Sequence, residues 1–370
     1  MSTLSLLAAR LATGQPPVNG LREPPEALLG LLKQNKYPLL HLAPHPAWSW
    51  FSGTEGFETE RKAQEAMLSS QEADYFQVQA ELAREGISPV LIKAGPGFPY
   101  TSDNLDVLVR PEEEEKARLV LTKLGYIELK MVEEPQKFLF ARVRGGKIDS
   151  KFHLHTRVGW GVGFMDEAAL WQRVRLHGSI LVPSPEDIVL ITLAHSFYEN
   201  KKLTLADLMK VRRSAQGELD FDYMDRVAHS RGWGEGLHFC LLIWAHLEEG
   251  LLGQTSLPKT SREGWESHLS QLSLRYYRSL LRREPVLPFH VSFLFSKLLY
   301  YKKIWGDRDG GVWAKPRDTV LTLVRGIKVK GRLHFQPSFL VTFSGADGSG
   351  KTQHAMGLVS AISEYVKAEY

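Results

Sequence analysis

What most restricts the folding of this chain is a run of segments between residues 60 and 155 whose periodicities alternate between helix and strand. "ERKAQEAMLSSQEADYFQVQAELAREG" is polar and helix-prone, with Ala66, Met67, Tyr75, Phe76, Val78 and Leu82 at apolar positions, and it closes on Gly86 as a helix C-terminus would. "SPVLIKAG" follows at once as a strand. A turn then leads to a second strand, Leu105 to Val109, and on to a helix with glutamates in its first turns, where the helix dipole favours them. Two further β-like runs, "KFLFARVR" and "GKIDSKFHLHTRV", are joined by Gly145 and Gly146, a hairpin signal. The pattern predicts an α+β domain.

A different signature stands near the other end. Gly345 to Thr352 read GADGSGKT, which fits the GxxxxGK[ST] phosphate loop, and the β-prone run Phe339, Leu340, Val341, Thr342, Phe343 precedes it. After Thr352, Met356, Leu358, Val359, Ile362 and Val366 recur at helical spacing. In such a loop the glycines let backbone N–H groups wrap a phosphate, a lysine neutralises the β and γ oxygens, and a threonine hydroxyl holds magnesium. ATP and Mg2+ are the expected cofactors, held by Gly345, Gly348, Ser349, Gly350, Lys351 and Thr352, with Thr352 on the metal.

With 370 residues the chain can bury a sizeable core and form more than one domain, and its net charge of +4 is a mild surplus. Arg275, Arg278, Arg282, Arg283, Lys297, Lys302 and Lys303 interleave with Tyr276, Tyr277, Tyr300 and Tyr301, a pattern read as cationic side chains snorkelling from helices rather than as a nucleic-acid surface. A single cysteine, Cys240, lies in the apolar run "HFCLLIWAHL", so no intrachain disulfide forms and the cytoplasm is the expected compartment. "MSTLSLLAARLATG" reads as a small helix, because no basic region precedes its apolar stretch and Arg10 interrupts it. His290 and Lys297 break "VLPFHVSFLFSKLLYY", which is too short to span a bilayer.

From residue 60 to about 215, "GISPVLIKAG", "YTSDNLDVLV", "LTKLGYIEL", "FHLHTRVGW" and "SPEDIVLITLAHSFYENKKLTLADLMKV" together resemble the nucleotidyltransferase superfamily, specifically its largely uncharacterised bacterial group. In that family a lysine and a glycine end the first strand, a DxD pair sits on the second, and a third acid lies on a later strand. The resemblance places Lys93 at the nucleotide and makes Asp103 and Asp106 the catalytic, metal-holding acids. It also exposes departures. The first DxD position falls on Asn104 and the third acid on His153, with Asp149 on the same face of that strand by simple alternation. Two magnesium ions need several carboxylates, so a degenerate site is expected. A histidine pair, His153 and His155, with His195 further along, offers a transition-metal alternative, against the plainer reading of histidines in a polar cleft. His195 and Asp207 read as polar contacts between packed helices.

"VTFSGADGSGKTQ" resembles the start of the thymidylate kinase group, in which an acid inside the loop, here Asp347, positions the acceptor nucleotide beside the catalytic Lys351. A P-loop kinase domain needs on the order of 150 residues or more, so the chain is expected to be the front of a longer protein. The expected organisation is an irregular, partly helical segment (1–59), a nucleotidyltransferase-like domain (60–215), a helical region and basic linker (216–337), and the first strand, loop and helix of an incomplete P-loop α/β domain (338–370). The expected function is phosphoryl transfer from ATP to a nucleotide or other small acceptor. The alternatives are magnesium-dependent nucleotidyl transfer through Asp103 and Asp106, and a non-catalytic nucleotide-binding module.

Overall fold

Local signals set the helices. Thr54 accepts a hydrogen bond from the Phe57 amide and starts the long helix Glu55–Arg84, five residues earlier than the sequence pattern suggests. Gly86, at φ 78°, ends it in the left-handed region. Ser184 caps the helix Pro185–Ala194, whose first residue is proline. These elements belong to a computed structural model that describes residues 3–18, 23–42, 45–93, 104–129, 136–144, 147–258, 261–307, 313–330, 341, 343–346 and 348–362.

The centre is a seven-stranded mixed sheet. Its strands are β1 (Val90–Leu91), β2 (Leu105–Leu108), β3 (Ile127–Leu129), β4 (Lys137–Arg144), β5 (Lys147–His155), β6 (Arg175–His177) and β7 (Ile180–Val182), in the order β3-β4-β5-β2-β1-β7-β6. β2 runs parallel to β5 and antiparallel to β1, which runs parallel to β7. One face, with Leu105, Val107, Phe140, Phe152 and Leu154, packs under Tyr75, Val78 and Leu82 of the long helix and Ala117, Val120 and Leu121 of the helix Glu114–Lys123. Alternation sends Val90, Ile92 and Leu108 to a second, larger core built mostly from helices.

That larger core joins Leu7 of the helix Thr3–Ala12 to Ile304 of the helix Phe293–Gly306. The region after residue 216 is helical as expected: Phe221–Ser230, Gly234–Leu252, Ser261–Ser267, Gln271–Leu280, Phe293–Gly306 and Ala314–Lys330. The last of these includes the first residues of the basic stretch read as a linker. A short ladder of β8 (Lys202–Leu203) with β9 (Phe289–His290) ties this region back to the sheet-bearing part. Cys240 is buried, and among the described residues no helix is long and apolar enough to cross a membrane.

The architecture is thus a mixed sheet with many helices, in keeping with an α+β domain. Toward the end of the sequence the helix Lys351–Ile362 is present, but Val341 and Phe343 are exposed and carry no strand. The expected opening strand of a P-loop domain therefore does not form at these residues: with no neighbouring parallel strand among the described residues, a lone strand has no ladder to join.

Candidate functional site

Parallel pairing of β2 with β5 sets Asp106 beside His153 and Leu108 beside His155. Both histidines and Asp106 point away from the Phe152 and Leu154 side, toward the helical half of the molecule. Asp106 is buried, and three nitrogens stand close to a single oxygen, Oδ1: Lys93 Nζ at 2.9 Å, His155 Nε2 at 2.8 Å and His153 Nδ1 at 3.4 Å. The Asn104 carboxamide lies against His153 Nδ1. Burial alone would raise the Asp106 carboxyl; the Lys93 ammonium, then the two histidines, more than offset it and hold it well below the usual carboxylate range. An ionised carboxylate only accepts, so His155 Nε2 carries its proton. Burial keeps His155 neutral, with its pKa lowered to about 4, and lowers His153 as well.

Lys93, in the turn two residues after β1, has φ 64°, a left-handed conformation that costs a non-glycine residue about 1 kcal/mol or more. The strain is held by two contacts. Its ammonium meets Asp106, and its carbonyl accepts a hydrogen bond from Lys210 Nζ at 2.6 Å, on the helix Leu205–Ser214.

Four more residues extend this group. Lys137, buried, pairs with His155 across β4 and β5 and so shares its face. Glu199 sits in the π-helical turn His195–Asn200 that continues the helix Pro185–Ala194, and its Oε2 is 2.9 Å from His195 Nε2. Burial would raise the Glu199 carboxyl, but His195, then Lys93 and Lys137, bring it to about 2. Trp160 lies against the His195 ring, with centroids 5.3 Å apart.

Of the residues expected from sequence, Lys93 and Asp106 come together. Asp103 lies outside the described residues. Asp149 does not join them. The β4–β5 ladder shifts register between Arg142 and Val143, so Arg142 faces Ser150 and Asp149 is the extra residue of a bulge. The bulge breaks simple alternation and turns Asp149 to Arg142 Nη2 at 3.1 Å and Arg144 Nε at 3.3 Å, on the side of Tyr126 and Asp74. Asp207 caps its own helix through Thr204 rather than bridging helices. His195 meets Glu199 and Asn200 of its own turn.

Sequence reasoning missed Lys137, Glu199 and Lys210. Lys137 could be found only by counting register back from the hairpin turn, and the bulge makes a plain count place it opposite Leu154, on the wrong face. The ligand atoms of Asp106, His153 and His155 lie within 4.8 Å of one another, close enough to hold a metal ion. Asp106 supplies the one carboxylate of that group, with two imidazoles beside it.

In the segment 345–352, Gly348 and Gly350 adopt φ 85° and 77°, and Lys351 Nζ donates to the Gly345 and Ala346 carbonyls at 2.9 Å each. Ser349 and Thr352 are exposed; Asp347 lies outside the described residues. Comparison with curated proteins and with solved structures gives no match. The stretch that matches a known family is residues 101–248, which carries Asp106, His153, His155, Lys137 and Glu199, and the family is described as an uncharacterised nucleotidyltransferase.

Proposed function

We propose that the nucleotidyltransferase-like region, together with β1, binds the phosphates of a nucleoside triphosphate in the cleft between the sheet and the helix Leu205–Ser214. The observation that carries this reading is the cluster of Lys93, Lys137 and Lys210 around one buried carboxylate, Asp106. Lysines shielded from solvent, Lys137 fully and Lys93 and Lys210 in part, are already stripped of some of their water and can give strong, oriented contacts to phosphate oxygens.

Magnesium, which nucleotidyltransferases generally use, fits poorly here. Mg2+ takes oxygen ligands in a strict octahedron, and a pair of such ions needs several carboxylates. The Asp106 group offers one carboxylate, two imidazoles that suit borderline ions, and an ammonium on the shared oxygen. The chemistry that these residues support is recognition: the lysines neutralise phosphate charge, Asp106 and the Lys210 contact hold Lys93 in place, and the buried walls exclude water.

The test is calorimetric titration of the Lys351→Ala protein with ATP and GTP, which leaves this cleft as the site under study. Lys137→Met is expected to weaken the affinity at least tenfold with an unchanged far-ultraviolet circular dichroism spectrum. Equal affinity in the two proteins would end the reading.

A second reading rests on the separate loop at 345–352. The left-handed glycines and the lysine folded onto the loop carbonyls support a phosphate-binding loop that takes MgATP, with Lys351 released to the β and γ phosphates and Thr352 on the metal. The thymidylate-kinase-like transfer expected from the sequence is the reaction that such a loop would serve. Lys351→Ala is expected to remove ATP turnover there; turnover that survives it would place the chemistry elsewhere.

A further inference from the structure

We infer that Lys93 is the resident cation of the cleft: its ammonium stands on Asp106 where a divalent ion would otherwise bind, so the protein as it exists takes no divalent metal at Asp106, His153 and His155.

Charge favours the ammonium. In the family pattern three acids face two dications. Here Asn104 and His153 stand at two of those positions, and one carboxylate, Asp106, remains in the group. One negative charge matches one ammonium. Across the cleft Glu199 is the second anion and Lys137 the second cation, each acting electrostatically on the same set. Among the described residues Asp106, Glu199 and Asp207 already balance Lys93, Lys137 and Lys210, and a dication added to them would leave two unbalanced positive charges in a place shielded from water, where unpaired charge is costly.

Geometry agrees. Lys93 Nζ lies 2.9 Å from the same Oδ1 that both imidazoles approach, so an ion bridging the three donors would have to share that oxygen with an ammonium. The backbone is committed to this arrangement as well. Lys93 holds φ 64°, which a residue keeps only where the surroundings over-determine it, and its carbonyl is fixed by Lys210. What lies beneath the ammonium is nonetheless a sound three-donor set, since the Asp106, His153 and His155 atoms are within 4.8 Å of one another. Two imidazoles and a carboxylate suit zinc rather than magnesium. Lys93 therefore decides between two cations on one framework.

The inference goes beyond the nucleotide reading, and its test contains no nucleotide, so either can fail alone. Zinc is titrated calorimetrically into the metal-stripped wild-type chain, into Lys93→Met and into the double variant Lys93→Met/His153→Ala. The wild type is expected to show no saturable site that depends on His153. Lys93→Met is expected to bind one zinc at least tenfold more tightly than anything in the wild type, and the double variant to lose it. Melting temperature supplies a second readout: Lys93→Met, left with an uncompensated buried carboxylate, melts below the wild type in chelator and is raised selectively by zinc. Should Lys93→Met fold poorly, Lys93→Gln keeps a polar group on Asp106 and serves the same comparison. A wild-type zinc site that His153→Ala removes would overturn the inference, and so would a Lys93 variant that folds and gains no zinc.

Discussion

His41 is held between two cations. Arg213 Nη1 is 3.3 Å from its Nδ1, and burial first, then Arg213 and Lys210, lower its pKa to about 4. His155, at about 4, is neutral for a related reason, burial outweighing Asp106. In the unfolded chain both imidazoles titrate near 6.5. Between those values the unfolded state binds protons that the folded state refuses, so their contribution to stability is complete above pH 6.5 and is lost as pH falls toward 4. Each such proton gives a slope of about 1.4 kcal/mol per pH unit. Urea unfolding followed from pH 7 to 4.5 should therefore show falling stability, with a shallower slope in His41→Gln. A His41→Gln slope equal to that of the wild type would mean that His41 is charged in the fold. The same residues show where reading a sequence stops. His41 stands in a stretch read as irregular loop, and nothing local to it announces Arg213, which arrives from the far side of the chain.

At the scale of elements, the β4–β5 hairpin carries two roles on its two faces, and one bulged residue keeps them apart. Arg142 is buried and bonds Asp74 of the long helix as well as Asp149, while its guanidinium lies over the Tyr126 ring at 4.9 Å. Removing Arg142 leaves Asp74 buried without its partner, a loss of about 3–5 kcal/mol, whereas removing Asp149 leaves the Arg142–Asp74 pair intact and should cost about 1 kcal/mol. Chemical denaturation of Arg142→Met and Asp149→Ala should return that order, and Asp149→Ala should leave nucleotide affinity unchanged. A drop in affinity would return Asp149 to the site from which the bulge removes it. The hairpin itself was legible, because its strands are β-prone and glycines mark its turn. So were the capped helices. The bulge was not, since no turn residue marks it, and a one-residue shift sends every side chain beyond it to the other face. Strand order was equally hidden: Asp106 meets His153 because β2 and β5 pair in parallel, a contact between distant segments that no periodicity encodes.

At the scale of the molecule, the N-terminal segment bears on the site although it contributes no residue to it. Its first helix buries Leu7, Ala8 and Ala9, and Ser5 Oγ accepts a hydrogen bond from the Leu287 amide at 3.0 Å. Asn35, fully buried, accepts from the Leu205 amide through its side chain and from the Ala206 amide through its carbonyl, at 3.0 and 3.3 Å. Those two amides open the helix whose Lys210 holds the Lys93 carbonyl. A chain of fixed contacts therefore runs from the first forty residues to the cation on Asp106, and the core that joins Leu7 to Ile304 makes it cooperative. Leu7→Ala opens a cavity in that shared core and should cost about 3 kcal/mol. Because the core is common, the loss should appear as one shifted transition, coincident by tryptophan fluorescence and by far-ultraviolet circular dichroism. An N-terminal segment that folded as its own unit would give the opposite result: a small early transition moved by the substitution, and a main transition left where it was.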